Sequence, residues 1–394
     1  MTWSGKGRVA FVGVGYSPLA RNTEVSLGSF AETAIARALD DAGLSPKDID
    51  GLSTYPSPAY RGAPQREGID LVGPEYVLAN IRPGLVRWYA DLNSGMAVGA
   101  IVQSAFALIA GACDYVLVWR ALPQATAQAR TQGPASAAGA SAFTLPYGAA
   151  SPLQWHALAY RHYLLRYGQQ PDKMAAFVVN SRRNATLNPD AYFRDKPIGM
   201  QDYLASRMVS DPLRLLDCDI PLQGCVALLM TTAERARDLR QKPAYLAGFA
   251  MNSLARPPVI DYTQLDHYES GRETSEALWQ SAGLGAGDMG AAMLYDGFSP
   301  STLYWLESAG FCGRGEALDF IQNGRIAIEG EMPVNTFGGS LCQGRLHGMG
   351  HAAEAVLQAT GRAQARQAKR ADAVCVFSGS PMFRGSGIII TSEA

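Results

Sequence analysis

The side chains best suited to chemistry gather near the C-terminus, in Asn335-Thr336-Phe337-Gly338-Gly339-Ser340-Leu341-Cys342-Gln343-Gly344-Arg345-Leu346-His347-Gly348-Met349-Gly350-His351. Five glycines, two histidines and an arginine share this polar loop, which runs into an apolar helix expected over Ala352 to Ala359. Glycine accepts positive φ without a Cβ clash, so such a loop can bring backbone amides close to a ligand. Arg345, His347 and His351 add groups that a buried structural loop rarely needs. A second candidate, Tyr295-Asp296-Gly297-Phe298-Ser299-Pro300, follows the apolar strand Ala291 to Leu294 and offers a phenol for proton transfer. A phenol has a pKa of about 10 and is a poor base unless cations lower it. Arg345, His347 and His351 could supply that field, while Asn93, Asn335 and the amides of the glycine loops could hold an oxyanion.

The elements that must position these groups occur twice. Val9-Ala10-Phe11-Val12-Gly13 followed by Leu19-Ala20-Arg21 is echoed by Ala244-Tyr245-Leu246-Ala247-Gly248 followed by Leu254-Ala255-Arg256. Each reads as a buried strand that ends in a glycine turn. Ala42-Gly43-Leu44, with Asp48 and Ile49 beyond, is matched by Ala282-Gly283-Leu284, with Asp288 and Met289 beyond. Each follows an amphipathic helix that stops at the glycine. Asn93-Ser94-Gly95, a helix to Leu108 and a strand from Tyr115 to Trp119 correspond to the Gly338–His351 loop, a helix Ala353 to Ala359 and a strand Ala373 to Phe377. Three pairs in one order argue for internal duplication. Each half is then an α/β unit, with mainly parallel strands covered by helices. Ligands of such sheets sit at the carboxyl ends of the strands, where the glycine loops lie.

The expected organisation is an N-terminal half of residues 1–120 and 152–243 and a C-terminal half of residues 244–394. Residues 121–151, rich in Ala, Ser, Gly, Gln and Thr, read as an inserted loop region over the site. The aromatic run Trp155, His156, Tyr160, His162, Tyr163 and Tyr167 that follows has helical spacing.

Composition excludes several classes of function. A chain of 394 residues, 47% hydrophobic and 18% charged, can bury a large core. Its 34 basic and 35 acidic residues nearly cancel, so no global field recruits nucleic acid or an anionic membrane. The six cysteines lack the short paired spacings of a zinc site or a disulfide framework, which points to a reducing cytoplasm. Neither a signal peptide nor a membrane span is expected, since the apolar run Val9 to Val14 is too short.

The C-terminal loop resembles the Asn-x-x-Gly-Gly…Gly-His-Pro-x-Gly loop of the thiolase superfamily, with Arg345 in the place of that family's catalytic histidine. The resemblance covers nearly the whole chain and implies a duplicated α-β-α-β-α fold of five layers. It places leucine, in Leu92-Asn93-Ser94-Gly95, where thiolases carry their nucleophilic cysteine, and Phe377 where they carry a second cysteine. Cys375 reads as core. Tyr295 stands where the sterol-carrier branch has histidine, in His-Asp-x-Phe-Ser. The same substitution occurs in the lipid-transfer-protein aldolases of bacterial steroid side-chain degradation, which this chain resembles; they lost the cysteine and use tyrosine there for a retro-aldol cleavage. The implied activity is therefore that of a carbon–carbon lyase acting on a β-hydroxyacyl-CoA with a bulky hydrophobic acyl group, with CoA as part of the substrate and no tightly bound cofactor. Also implied are a homodimer and a partner protein with a zinc ribbon and an OB-fold.

Such a cleavage needs a base for the β-hydroxyl proton and donors for the thioester enolate, and no covalent nucleophile. Tyr295 is the leading proton-transfer residue. The steroid aldolases have a second tyrosine at the position of Arg345, so either His347 takes over its work, or Arg345 is an electrophile, or Arg345 is a clamp paired with Asp296 or Glu354. Asn93, Ser94, Gly338 and Gly339 are candidate contacts to the CoA thioester, and Arg182 with Arg183 could bind the CoA phosphates. His156 and His162 read as packing or tunnel residues and His267 as a surface residue. Arg362, Arg366, Lys369 and Arg370 read as a solvated basic face. Two other functions stay open: a thiolase with Cys342 as an atypical nucleophile, and a non-catalytic acyl-CoA-binding or lipid-binding subunit.

Overall fold

The structure is a computed structural model, and it describes residues 2–55, 65–91, 96–124, 137, 142–149, 151–251, 267–381 and 385–394. Nine strands form one sheet: β1 (Val9–Tyr16), β2 (Gly51–Thr54), β3 (Trp88–Ala90), β4 (Tyr115–Leu122), β5 (Gly224–Thr232), β6 (Ala244–Ala250), β7 (Ala291–Leu294), β8 (Ala373–Ser378) and β9 (Ser386–Thr391). The helices that matter for the site are α1 (Leu27–Ala42), α2 (Met96–Ile109), α3 (Pro152–Tyr167), α4 (Ala175–Thr186), α5 (Tyr268–Ala282), α6 (Pro300–Ser308), α7 (Gly339–Cys342) and α8 (Met349–Ala359).

The strand order β3-β2-β4-β5-β1-β6-β9-β8-β7 contains the duplication. The two halves meet where β1 pairs antiparallel with β6, through Ala10 with Tyr245 and Phe11 with Ala244. In the second half a single parallel bridge from Val334 to Ala292 stands where β3 pairs with β2 in the first. Three apolar clusters define the layers. One packs Phe30, Ala34 and Ile35 of α1 on Ala10, Val12 and Leu229. Another packs Leu278 and Ala282 of α5 on Ala247, Phe377 and Ile389. Between them α2 and α8 lie against both halves of the sheet, touching Val118 and Val226 on one side and Val374 and Ile388 on the other. Helix, sheet, helix, sheet, helix is the five-layer α-β-α-β-α order expected from the sequence.

Two local expectations change. The strands are not mainly parallel, because β5 and β9 each run antiparallel to both neighbours. For β9 the cause is the link from β8, which is shorter than the dozen or more residues a parallel crossover needs. Gly13 and Gly248 do not end their strands in turns, since both lie inside them. A Cβ on Gly13 would sit 2.4 Å from the Ala38 carbonyl oxygen, and one on Gly248 would sit 2.6 Å from the Ala282 nitrogen. These glycines let α1 and α5 settle against the sheet. The repeated glycines after the helices do act as caps, Gly43 with φ 71° and Gly283 with φ 65°.

The aromatic run forms α3, which reaches the turn after β7. His156 is 4% exposed and stacks on Phe298 with ring centroids 4.5 Å apart. His267 is buried rather than at the surface, edge-on to Tyr304 of α6 at 5.3 Å, because α5 packs on α6. The basic segment is not wholly solvated either. Arg366 is 5% exposed and holds Glu354 at 3.0 Å, and Arg362 reaches across to Asp41 at 2.7 Å.

Two measurements check this packing. Gly248→Ala should cost about 1–3 kcal/mol of stability in urea unfolding, as overpacking does, whereas Gly287→Ala, with nothing within 4 Å of the added Cβ, should change it by less than about 0.5 kcal/mol. Burial, with His267 second, holds the His156 imidazole down at about 3. A histidine pKa depressed in the folded state gives stability that is present above the unfolded value and is lost as pH falls below it. His156→Gln should therefore shrink the loss of stability between pH 7.5 and 5.5 by about 1.4 kcal/mol.

Candidate active site

The carboxyl ends of equivalent strands in the two halves bring the site together. Tyr55 follows β2 and Tyr295 follows β7, and they are as far apart along the chain as Gly43 and Gly283. Arg120 lies in the last turn of β4, and Arg345 and His347 come from the segment between α7 and α8. That segment is not the open polar loop its composition suggests. Phe337, Leu341, Cys342 and Leu346 are buried, Gly339–Cys342 forms a helical turn, and α8 begins at Met349, ahead of the expected start.

Asp296, fully buried, organises the turn. Its carboxylate accepts from Ser340 N at 2.6 Å and Leu341 N at 3.3 Å, at the start of α7, and meets His351 Nε2 at 3.1 Å. A Cβ on Gly339 would come within 2.0 Å of that carboxylate, and one on Gly338 within 2.7 Å of Ala185 Cβ on α4. The close approach permitted by these two glycines is thus to Asp296 and α4. His351, committed to Asp296 and packed edge-on to Phe337 at 4.9 Å, is a structural residue of the turn.

Tyr295 is anchored by its N–H to the Phe377 carbonyl at 2.9 Å, and its ring tilts against His351 at 5.8 Å. Burial first, and Asp219 second, push its phenol well above the ordinary range, with Arg345 opposing. The expectation that neighbouring cations would free a phenolate fails, because desolvation outweighs them. The Tyr295 phenol therefore keeps its proton. Arg345 pairs with neither Asp296 nor Glu354. Glu354 is taken by Arg366 and by Thr336 Oγ1 at 2.7 Å. Among the described residues, the carboxylate that approaches Arg345 is Asp219, with Nε 3.8 Å from Oδ2, and Arg345 Nε and Nη2 are buried without a hydrogen-bond partner.

His347 has φ 49° and lies stacked on Tyr55 at 6.2 Å, with Nδ1 3.2 Å from Arg120 Nη2. Arginine only donates, so Nδ1 accepts and the proton of the neutral ring is on Nε2. Burial and the two guanidiniums hold the His347 pKa well below its ordinary value, so it adds no cationic field. Arg120, buried, also donates to the Tyr55 carbonyl at 2.7 Å and covers the Tyr55 ring at 4.3 Å. The Tyr55 hydroxyl donates to the His347 carbonyl at 3.2 Å, and burial pushes it up to about 12 against the pull of Arg120 and Arg345.

Other expected site residues serve the scaffold. Asn335 is buried, with Oδ1 accepting from Leu294 N and Nδ2 donating to Leu294 O, both at 2.8 Å, so its amide extends β7 instead of facing a ligand. Arg182 is buried, donates to Cys342 Sγ at 3.4 Å and to Lys196 O at 2.7 Å, and covers Phe193 at 4.0 Å. Arg183 is at the surface, paired with Glu329 at 2.6 Å. Cys342 is 1% exposed and burial pushes its thiol up to about 11, which disqualifies it as a nucleophile. Leu92, Asn93 and Ser94 lie outside the described residues.

Sequence reasoning missed Tyr55, Arg120 and Asp219. The repeat spacing could have found Tyr55, since it mirrors Tyr295. Nothing local marks Arg120, which sits in an apolar strand, or Asp219.

Residues 259–393 match the family model described as thiolase C-terminal domain-like. The chain is 35% identical over 367 residues to a 17-hydroxy-3-oxo-4-pregnene-20-carboxyl-CoA lyase of Mycobacterium tuberculosis, covering 90% of this chain and 92% of that protein. It is 35% identical over 370 residues to a steroid side-chain-cleaving aldolase of Thermomonospora curvata, covering 89% and 90%. Among solved structures it superposes on an Ltp2-ChsH2(DUF35) aldolase with a TM-score of 0.84 and 33% identity over 98% of each chain. The chain belongs to the steroid side-chain-cleaving aldolase branch of the thiolase superfamily and is a carbon–carbon lyase.

Proposed function

We propose that this lyase breaks the bond between the α and β carbons of a β-hydroxyacyl-CoA carrying a bulky, steroid-like acyl group, and releases a ketone and a short acyl-CoA. The observation that carries the reading is Arg345, whose unpaired Nε and Nη2 lie beside a phenol held in its protonated form. As the β-hydroxyl loses its proton, the carbon–carbon electron pair moves onto the α carbon and the thioester oxygen gains charge. Arg345 stabilises that enolate oxygen, as preorganised donors do most effectively in a site shielded from water. Tyr295 then delivers its proton to the α carbon and recovers the proton that the β-hydroxyl released, so the enzyme returns to its starting form and no free CoA is consumed.

Residues 121–151, between the halves 1–120 with 152–243 and 244–394, would cover the acyl group; most of that segment lies outside the described residues. CoA enters as part of the substrate, with no tightly bound cofactor. The name of the related Ltp2-ChsH2(DUF35) aldolase supports a partner protein, which by the family resemblance would carry a zinc ribbon and an OB-fold, and β3, the outermost strand of the first half with Tyr89 65% exposed, would pair across a homodimer. All six cysteines are free thiols, which fits the cytoplasm.

The test is incubation of the protein, alone and with a DUF35 partner, with 17-hydroxy-3-oxo-4-pregnene-20-carboxyl-CoA and no added CoA, with products read by mass spectrometry. A ketosteroid and a shortened CoA thioester are expected; their absence removes the reading. Tyr295→Phe should lower kcat by a factor of about 100 to 10,000 with KM changed less than about threefold, and unchanged turnover would remove Tyr295 from the chemistry. Cys342→Ser should retain wild-type turnover.

A further inference from the structure

We infer that Asp217 is a positioning residue of this lyase, whose ionised carboxylate pins the turn bearing Tyr295 to the segment that leads into β5; the inference rests on the retro-aldolase reading above. The turn Tyr295–Ser299 joins β7 to α6. Ser299 Oγ donates to Asp217 Oδ1 at 2.6 Å, and Ser299 N donates to the Asp217 carbonyl at 2.9 Å. Beside them Cys218 bridges Phe298, and Asp219 N donates to Gly297 O at 3.0 Å. Three successive residues of one segment thus meet three successive residues of the turn, and Asp217 grips with its side chain as well as its backbone.

Asp217 is fully buried and its donors are neutral. The Tyr203 hydroxyl, on the short helix Met200–Ala205, lies 3.1 Å from both carboxylate oxygens, and Arg214 N donates to Oδ2 at 2.8 Å. The Arg214 guanidinium is turned elsewhere, to Leu204 O at 2.7 Å, to Ser206 O at 3.0 Å and towards Asp172 at 3.6 Å. Among the described residues no cation pairs with Asp217, and burying an unpaired carboxylate costs stability. A local rule broken at such a cost is a mark of function. Burial raises the carboxyl to about 6, against the hydrogen bonds of Ser299, the Arg214 amide and Tyr203. The other titratable groups that face it are Tyr203, Arg214 and, on α3, Tyr160, with Asp172 behind Arg214. Burial lifts both phenols far above that range, and His156, stacked on Phe298, titrates well below it.

An ionised carboxylate only accepts, so it can take Ser299 Oγ–H, Tyr203 O–H and Arg214 N–H together. A proton on Asp217, or the amide of an asparagine in its place, sets a donor among these donors. One contact must then open, and the turn that aims Tyr295 is released at Ser299. Asp217 acts on the reaction through Ser299 and does not itself touch the substrate.

The test follows ketone release in the complete assay above between pH 5 and 8 for wild type, Asp217→Asn and Ser299→Ala. Wild type should lose kcat along an acid limb centred near pH 6. Asp217→Asn should lack that limb, with kcat at pH 7.5 lowered about tenfold or more, to the level wild type reaches at pH 5, and KM within about threefold of wild type. Ser299→Ala removes a donor that favours the charged carboxylate, so its limb should move to higher pH. A residue that served the fold alone would lower kcat in both variants without moving the limb. The assignment is overturned if wild type shows no limb in this range, if Asp217→Asn keeps the limb or stays within about threefold of wild-type kcat at pH 7.5, or if the Ser299→Ala limb does not move upwards. Should Asp217→Asn fail to fold, the Ser299→Ala limb decides. Each of these results leaves cleavage by the wild type standing. A wild type that releases no ketone at any pH removes the retro-aldolase reading itself, and this inference with it.

Discussion

The contact on which the site depends is the buried carboxylate of Asp296 with the two amides of α7 and His351. It joins three parts that are far apart in sequence: the turn after β7, the glycine segment and α8. A buried carboxylate needs such donors, and each donor left unpaired would cost roughly 1–3 kcal/mol. Tyr295 precedes Asp296 in the chain, and Arg345 and His347 lie between the amides and the histidine that it binds. The orientation of all three therefore follows from one interaction, and Gly339 is needed because any side chain there would occupy the carboxylate's place.

Duplication supplies the second constraint. β2 and β7 end at equivalent points, so Tyr55 and Tyr295 face one site from opposite halves. The halves are no longer chemically alike. Tyr55 is covered by Arg120 and bonded to the backbone of His347, whereas Tyr295 lies against Asp219 and Arg345. Both helices of the central layer, α2 and α8, touch both halves, so the two strand ends are held at a fixed separation.

Burial decides the electrostatics. Two guanidiniums might be expected to create phenolates and cationic histidines, but desolvation disfavours every added charge. Tyr295 and Tyr55 stay protonated and His347 stays neutral. The resulting cleft offers proton donors and unpaired guanidinium N–H groups, which suits an enolate that carries charge only while the bond is breaking.

The sequence by itself determined the fold, because the apolar strands, capped helices and repeated spacing each recur in order, and such local signals survive without tertiary information. Tyr295, Arg345 and the glycine segment were legible for the same reason, as unusual residue types at the ends of recognisable elements. Only the tertiary structure decided what those residues face. Asn335 and His351 have the chemistry of catalysts and are consumed by backbone and carboxylate, and Gly13 and Gly248 look like turns and are helix seats. Asp219 and Arg120 carry no local pattern at all; they matter because β4 brings Arg120 to His347 and the approach to β5 pairs with the turn after β7. Partner identity, burial and the sign of a pKa shift depend on contacts between segments hundreds of residues apart, and no window along the chain contains them.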